Sequence, residues 1–277
     1  MTMQVGKEIR LKRIWKHRKA VIIPYDHGAY SGPVRGIEDP RSLTERIGTT
    51  DADAILVTPG ILRVIAPVVG QLGVVVRMDG GFTKYAPVPS DYRPLISVEH
   101  ALKLGADAGI VFTFVGTHDE GMSLQRLGNV AADAGGWGFP IVSEVLAPSL
   151  LSNHFGREML PKARKGKDIL DETMVAARVC VESGADIIKT RYTGTVKGFR
   201  DVVRSSNAKV IVAGGPHLNG SGEQMLQLAY DCVQADAAGI IFGRNVWQHP
   251  KMEKLIGALC AIVHEDETVS KALKLLR

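Results

Sequence analysis

The sequence predicts an α/β fold, a (β/α)8 TIM barrel, on three observations. Eight strand-length apolar runs recur along the chain. Helix-length amphipathic segments separate most of them. A junction of small residues and aspartate recurs ahead of strands. The runs are Ala20-Val-Ile-Ile-Pro-Tyr-Asp26, Asp53-Ala-Ile-Leu-Val-Thr58, Gly73-Val-Val-Val-Arg-Met-Asp79 and Gly109-Ile-Val-Phe-Thr-Phe-Val115, then Pro140-Ile-Val-Ser-Glu-Val-Leu146, Ala185-Asp-Ile-Ile-Lys-Thr190, Lys209-Val-Ile-Val-Ala213 and Gly239-Ile-Ile-Phe-Gly243. Their apolar stretches are continuous rather than alternating, as expected of parallel strands buried on both faces. Between them, residues 170–183 place Met174, Ala177 and Val181 on one helical face, and residues 223–234 do the same with Met225, Leu228, Ala229 and Cys232. The junctions read Thr50-Asp-Ala-Asp-Ala54, Gly105-Ala-Asp-Ala108, Gly184-Ala-Asp186 and Ala235-Asp-Ala-Ala-Gly239. A glycine there ends a helix in the left-handed conformation and a small residue lets the next strand begin close by. Eight strands in this length suit a closed barrel, which takes about 250 residues, better than a doubly wound open sheet.

Composition narrows the class. The 277 residues carry 34 Lys+Arg against 29 Asp+Glu, a net +5, with 45% hydrophobic and 23% charged residues. That balance excludes intrinsic disorder. No apolar run approaches the roughly 18 residues of a spanning helix, so no membrane partner is expected. Residues 1–19 are rich in Lys and Arg, and the apolar run after them is too short for the core of a secretory signal. Cys180, Cys232 and Cys260 are an odd number at long spacings without C-x-x-C, which reads as buried thiols in a reducing cytoplasm. There is no basic run of the kind that binds nucleic acid, and the mild basic excess suits small anions such as phosphorylated metabolites. No linker divides the chain, so one barrel domain over residues 1–277 is expected. The irregular stretch 147–167 follows the fifth strand and would form a lid or an oligomer contact. Residues 251–277 read as helices broken near His264-Glu-Asp266, with Asp266 as the N-cap of the second.

In such a barrel, polar residues at the C-terminal ends of strands carry the chemistry. Lys189 lies near the end of the sixth strand between Ile188 and Thr190. An amine in apolar surroundings is costly unless it is paired or neutral, and a neutral amine attacks carbonyls to form a Schiff base. Spacing alone leaves open a lysine that snorkels to the barrel mouth. Asp26 ends the first strand before His27-Gly28. It could shuttle a proton, with His27 adding a hydrogen bond, or serve as a turn or N-cap residue. Arg77 and Asp79, before Gly80-Gly81, are weaker candidates. After the seventh and eighth strands come Ala213-Gly-Gly-Pro-His217 and Gly243-Arg-Asn245. Gly214, Gly215 and Gly243 let backbone N–H groups approach an anion, Arg244 adds a fork of charged donors, and these two loops commonly form the phosphate site of such barrels.

At Asp26-His-Gly28 with Gly32-Pro33, Ala185-Asp-Ile-Ile-Lys-Thr-Arg-Tyr-Thr-Gly194, Ala213-Gly-Gly-Pro216 and Gly243-Arg-Asn-Val-Trp-Gln-His249, the sequence resembles the class I aldolases of the archaeal fructose-bisphosphate aldolase type, the DeoC/FbaB group. The resemblance spans nearly the whole chain. It implies Lys189 as the Schiff-base lysine, Asp26 as a catalytic carboxylate, and Gly214, Gly215, Gly243 and Arg244 as phosphate ligands. It also implies no cofactor and no metal, a phosphorylated sugar or ketone as substrate, fructose 1,6-bisphosphate by default, and a homo-oligomer.

One departure stands out. The family places a tyrosine proton donor near the end of the fifth strand, where this chain has Leu146. Glu144, two residues earlier and on the same face, could take over the proton transfer or could only pair with Lys189 or Arg77. The departure brings in other members of the group: a transaldolase-type synthase using aspartate semialdehyde and a thiolase-like enzyme acting on a phosphorylated autoinducer. Metal-dependent aldol chemistry would need ligands from His27, His118 and His217. A non-catalytic phosphosugar-binding barrel is the alternative outside enzymes.

Overall fold

The computed structural model describes residues 5–85, 92–117, 119–146, 148–149, 167–215 and 222–277. Eight parallel strands close on themselves: β1 (Ala20–Pro24), β2 (Ala54–Val57), β3 (Gly73–Arg77), β4 (Ala108–Phe114), β5 (Ile141–Leu146), β6 (Ile187–Arg191), β7 (Lys209–Ala213) and β8 (Gly239–Ile241). Each pairs with the next in sequence, and β8 returns to β1 with Ala20 opposite Gly239. That last ladder excludes the open sheet.

Both faces of the strands are buried, which is why their apolar runs do not alternate. Ile22, Leu56, Val75, Ile110, Val142, Ile187, Ile211 and Ile241 fill the interior of the barrel. Val21, Ile55, Val76, Val111, Ile188 and Val212 pack outward against the surrounding helices. Short polar side chains start several of those helices. Asp39 accepts from the N–H groups of Arg41 and Ser42 ahead of Pro40–Gly48, and Thr58, Ser97 and Thr195 cap Pro59–Ile65, Val98–Lys103 and Val196–Ser206 in the same way.

The recurring junction does more than turn the chain. Asp53, Asp107 and Asp186, at the starts of β2, β4 and β6, each reach to the preceding strand and accept its backbone N–H: Val21 at 2.7 Å, Val74 at 3.0 Å and Ile141 at 2.9 Å. The other oxygen of each carboxylate faces a basic residue from the N-terminal segment. Lys7 meets Asp186 at 2.8 Å, Arg13 meets Asp107 at 3.2 Å and His17 meets Asp53 at 3.1 Å. The helix Val5–Ile14 is thereby strapped across the bottom of the barrel, with Ile14 and Trp15 against the interior layer. The fourth junction differs: Asp236 has φ 63° and lies 3.7 Å from Arg200.

Three expectations need correction. β1 ends at Pro24, so Asp26 sits in the turn beyond it. Asp266 ends the helix Met252–Glu265 with φ 56° and an N–H bonded to the Ala261 carbonyl, and Thr268 precedes the next helix, Val269–Leu276. The third strand, read as Gly73–Asp79, ends at Arg77, and Asp79–Gly80 instead pairs with Arg93–Pro94 in a short antiparallel ribbon. Most of the 147–167 stretch lies outside the described residues. The three cysteines are buried free thiols. Among the described residues, no helix is long and apolar enough to cross a membrane.

Asp107→Ala should cost about 1–3 kcal/mol in urea unfolding, because it orphans the buried Val74 N–H. Arg13→Ala, which removes the exposed partner of the same carboxylate, should cost at most about 1 kcal/mol.

Candidate active site

A pocket opens at the C-terminal end of the barrel, the end opposite the strap. Asp26, His27, Arg77, Glu144, Lys189, Gly214, Gly215, Gly243 and Arg244 all line it. The structure therefore brings together every candidate residue named from the sequence except those outside the described residues, His118 and His217.

Strand register sets the central contact. Glu144 of β5 stands opposite Lys189 of β6, and the amine lies 2.7 Å from Oε1 of Glu144. Both side chains are nearly sealed, Lys189 at 6% and Glu144 at 4% exposure. The snorkelling alternative for Lys189 does not fit this burial. The amine is held by a carboxylate inside the pocket.

Arg77, the last residue of β3, completes the arrangement. Its Nε and Nη2 donate to Oδ2 of Asp26 at 3.0 and 2.8 Å, Nη2 also donates to Oε2 of Glu144, and Nη1 faces Asp79. Asp26, Arg77, Glu144 and Lys189 thus form one buried chain of alternating charge. Burial alone would lower the Arg77 pKa, but Glu144, Asp26 and Asp79 together raise it well above the usual value. Asp79, despite Arg77 and Arg126 nearby and the Phe112 N–H it accepts, is pushed up to about 6 by burial.

His27 sits at the edge of this chain. Its Nδ1 is 3.7 Å from Asp26, and its ring meets Trp247 edge-on at 5.6 Å. Burial lowers its pKa to about 4, only partly offset by Asp26, so the imidazole is neutral near pH 7. Tyr30 and Tyr92 join Phe82 and Phe112 in an aromatic wall. Burial raises both phenol pKa values and keeps the hydroxyls protonated. Leu146 packs beside that wall with Phe112 and Phe114.

The opposite side of the pocket is cationic. Arg191, two residues beyond Lys189 on β6, is buried, and its pKa falls to about 10 because of burial and the neighbouring Arg244. The sequence reading passed over Arg191, although its even spacing from Lys189 marks it as sharing that strand face. The three glycines here differ in purpose. A Cβ on Gly243 would lie 2.9 Å from the Pro24 carbonyl, and one on Gly214 would lie 3.0 Å from the Phe242 ring, so both are set by packing. Gly215 has φ +75° with open space beside it, which leaves its backbone accessible to an anion. The pocket can therefore hold a carbonyl carbon near a paired amine while an anionic group rests on guanidinium and backbone donors.

A family model described as DeoC/LacD family aldolase matches residues 20–249. The chain is similar to a 2-amino-3,7-dideoxy-D-threo-hept-6-ulosonate synthase of Halobacterium salinarum, at 33% identity over 97% of this chain and 95% of that protein. It is also similar to a 2-amino-4,5-dihydroxy-6-oxo-7-(phosphonooxy)heptanoate synthase of Streptomyces griseus, at 28% identity over 95% of this chain and 92% of that protein. Among solved structures, it resembles an archaeal fructose-1,6-bisphosphate aldolase whose catalytic lysine is covalently bound to the carbinolamine intermediate of its substrate, with TM-score 0.79 and 26% identity over 94% of this chain and 99% of that one. A closed eight-stranded barrel, a pocket lysine and a family match over residues 20–249 agree, and the chain belongs to the DeoC/LacD family of aldolases, as an enzyme of the class I kind.

Proposed function

We propose that this enzyme makes or breaks a carbon–carbon bond next to the carbonyl of a phosphorylated ketone, through an imine on Lys189. The observation that carries the reading is the sealed Lys189–Glu144 pair in a pocket shared with Arg191, Gly215 and Arg244.

In the cleavage direction, Glu144 accepts a proton from the Lys189 ammonium. The freed amine attacks the ketone carbon to give a carbinolamine. Loss of water, its oxygen coming from the ketone, leaves an iminium that draws in the electron pair of the breaking bond. Asp26 takes the proton of the substrate hydroxyl as that oxygen becomes the aldehyde carbonyl. The resulting enamine is protonated on carbon, and water releases the ketone and restores the amine. Arg77 holds Asp26 and Glu144 at one guanidinium, so both bases face the same bond. The phosphate rests on the Gly215 backbone with Arg191 and Arg244, while Gly214 and Gly243 let those loops close up around it. The lysine imine is the electron sink, a role that otherwise falls to a bound metal.

Fructose 1,6-bisphosphate, cleaved to dihydroxyacetone phosphate and glyceraldehyde 3-phosphate, is the first substrate to test. Leu146 favours a second reading. With an apolar residue at the family's tyrosine position and relatives named as synthases, the same enamine would instead be joined to another aldehyde, such as aspartate semialdehyde.

Borohydride with a phosphorylated ketone should add one adduct mass at Lys189, and Lys189→Met should lose roughly 10³-fold or more in kcat. Full turnover by that variant would overturn the mechanism. Glu144→Gln should lower kcat by roughly 10²–10⁴-fold with little change in KM. Arg244→Ala should mainly raise KM, by roughly 10- to 150-fold, the worth of a charge-assisted hydrogen bond. Activity should persist in EDTA. Assays with glyceraldehyde 3-phosphate and aspartate semialdehyde as acceptors separate the two substrate readings.

A further inference from the structure

The N-terminal end of the barrel holds a group of side chains that the aldol chemistry does not use. Of the three junction aspartates, Asp107 and Asp186 each accept one strand N–H and face one flexible cation. Asp53 keeps the strand N–H but faces two imidazoles. His17 Nδ1 lies 3.1 Å from Oδ1, and His264 Nε2 lies 2.8 Å from Oδ2. The two rings stack with centroids 3.9 Å apart at 21°, both turned to the same carboxylate. One ligating atom from each of the three residues lies within 4.8 Å of the other two.

We propose that His17, Asp53 and His264 bind a divalent transition-metal ion of the zinc class, clamping the segment before β1 to the helix Met252–Glu265. Two imidazole nitrogens and one carboxylate are a donor set that selects zinc-like ions over magnesium or calcium, and they leave a fourth position for water. Zinc bonds of about 2.0–2.2 Å require the three atoms to draw together. The gradient of exposure allows it. Asp53 is fully buried and His264 nearly so, at 0% and 6%, while His17 is 47% exposed and free to swing in, leaving the ion a route from solvent. On binding, the hydrogen on each nitrogen that faces Asp53 moves to the other ring nitrogen or to solvent, and the ion takes the lone pair it leaves. The carboxylate retains its bond to the Val21 N–H, which fixes its orientation as an outer partner would. The clamp joins residues 247 positions apart across the β1–β2 edge of the barrel.

The test uses the full chain, stripped with a chelator and dialysed, and titrated with zinc chloride against a chromophoric chelator of micromolar affinity. The expected result is one zinc per chain, a rise of a few degrees in Tm with zinc, and no such rise with magnesium. His17→Ala, at a half-exposed position where the fold is little disturbed, should weaken zinc binding by roughly 100-fold and abolish the Tm rise. His264→Gln should do the same, with circular dichroism confirming that it folds. Zinc affinity unchanged in both variants, or no zinc taken from the chelator by the parent protein, overturns the proposal. Lys189→Met should bind zinc like the parent, so a failed aldolase assay and a failed zinc titration are separate results.

Discussion

The reactive end of this barrel depends on one guanidinium. Asp26, Glu144 and Asp79 come from three different strands or their following turns, and three carboxylates buried together would repel one another and take up protons. Arg77 stands among them and donates to all three, at the longest distance to Asp79, 3.5 Å from Nη1. Because Arg77 holds one oxygen of Glu144, the other is aimed at Lys189. A lysine could not stand in for it, since a single ammonium lacks the flat fork that reaches both Asp26 and Glu144. The pairing of Glu144 with Lys189 and Arg77, and its use as a base, were alternatives at the level of sequence. In the folded protein the pairing is present, and the proposed proton transfer would run through it.

The two ends of the barrel divide the work. At the bottom, carboxylates satisfy strand N–H groups and anchor the N-terminal helix, so their charge serves the fold. At the top, carboxylates face cations and open space, so their charge is available to a substrate. The same residue type is bound to strand N–H groups at one end and paired with pocket cations at the other, and position along the strand decides which.

Much of this was legible because parallel strands buried on both faces leave unbroken apolar runs, and a lysine or glutamate inside such a run is conspicuous. Lys189 is conspicuous for that reason, Glu144 through its place two residues before the family's tyrosine position, and the glycine loops because they follow the last two strands. Arg77 ranked low because its partners Asp26 and Glu144 are 51 and 67 residues away, and no local spacing records which strand ends converge across a closed ring. Arg191 could have been found by counting two from Lys189. The junction aspartates form a visible pattern, but spacing alone marks only a turn there. Their bond to the preceding strand is a tertiary contact, and the same distance problem hid the meeting of His17 with His264.

The ladder between β1 and β8 has a consequence for how the polypeptide is made. Ala20 must find Gly239, so the first strand to leave the ribosome waits for the last before the cylinder can shut. Until then β1 offers an unpaired apolar edge, the kind of surface that invites association with other chains. The N-terminal segment emerges earlier still, and two of the carboxylates it meets, Asp107 through Arg13 and Asp53 through His17, are synthesised well before the closing strand. A partial arc of strands with part of its floor already laid is therefore in place when the closing strand arrives to cover that edge.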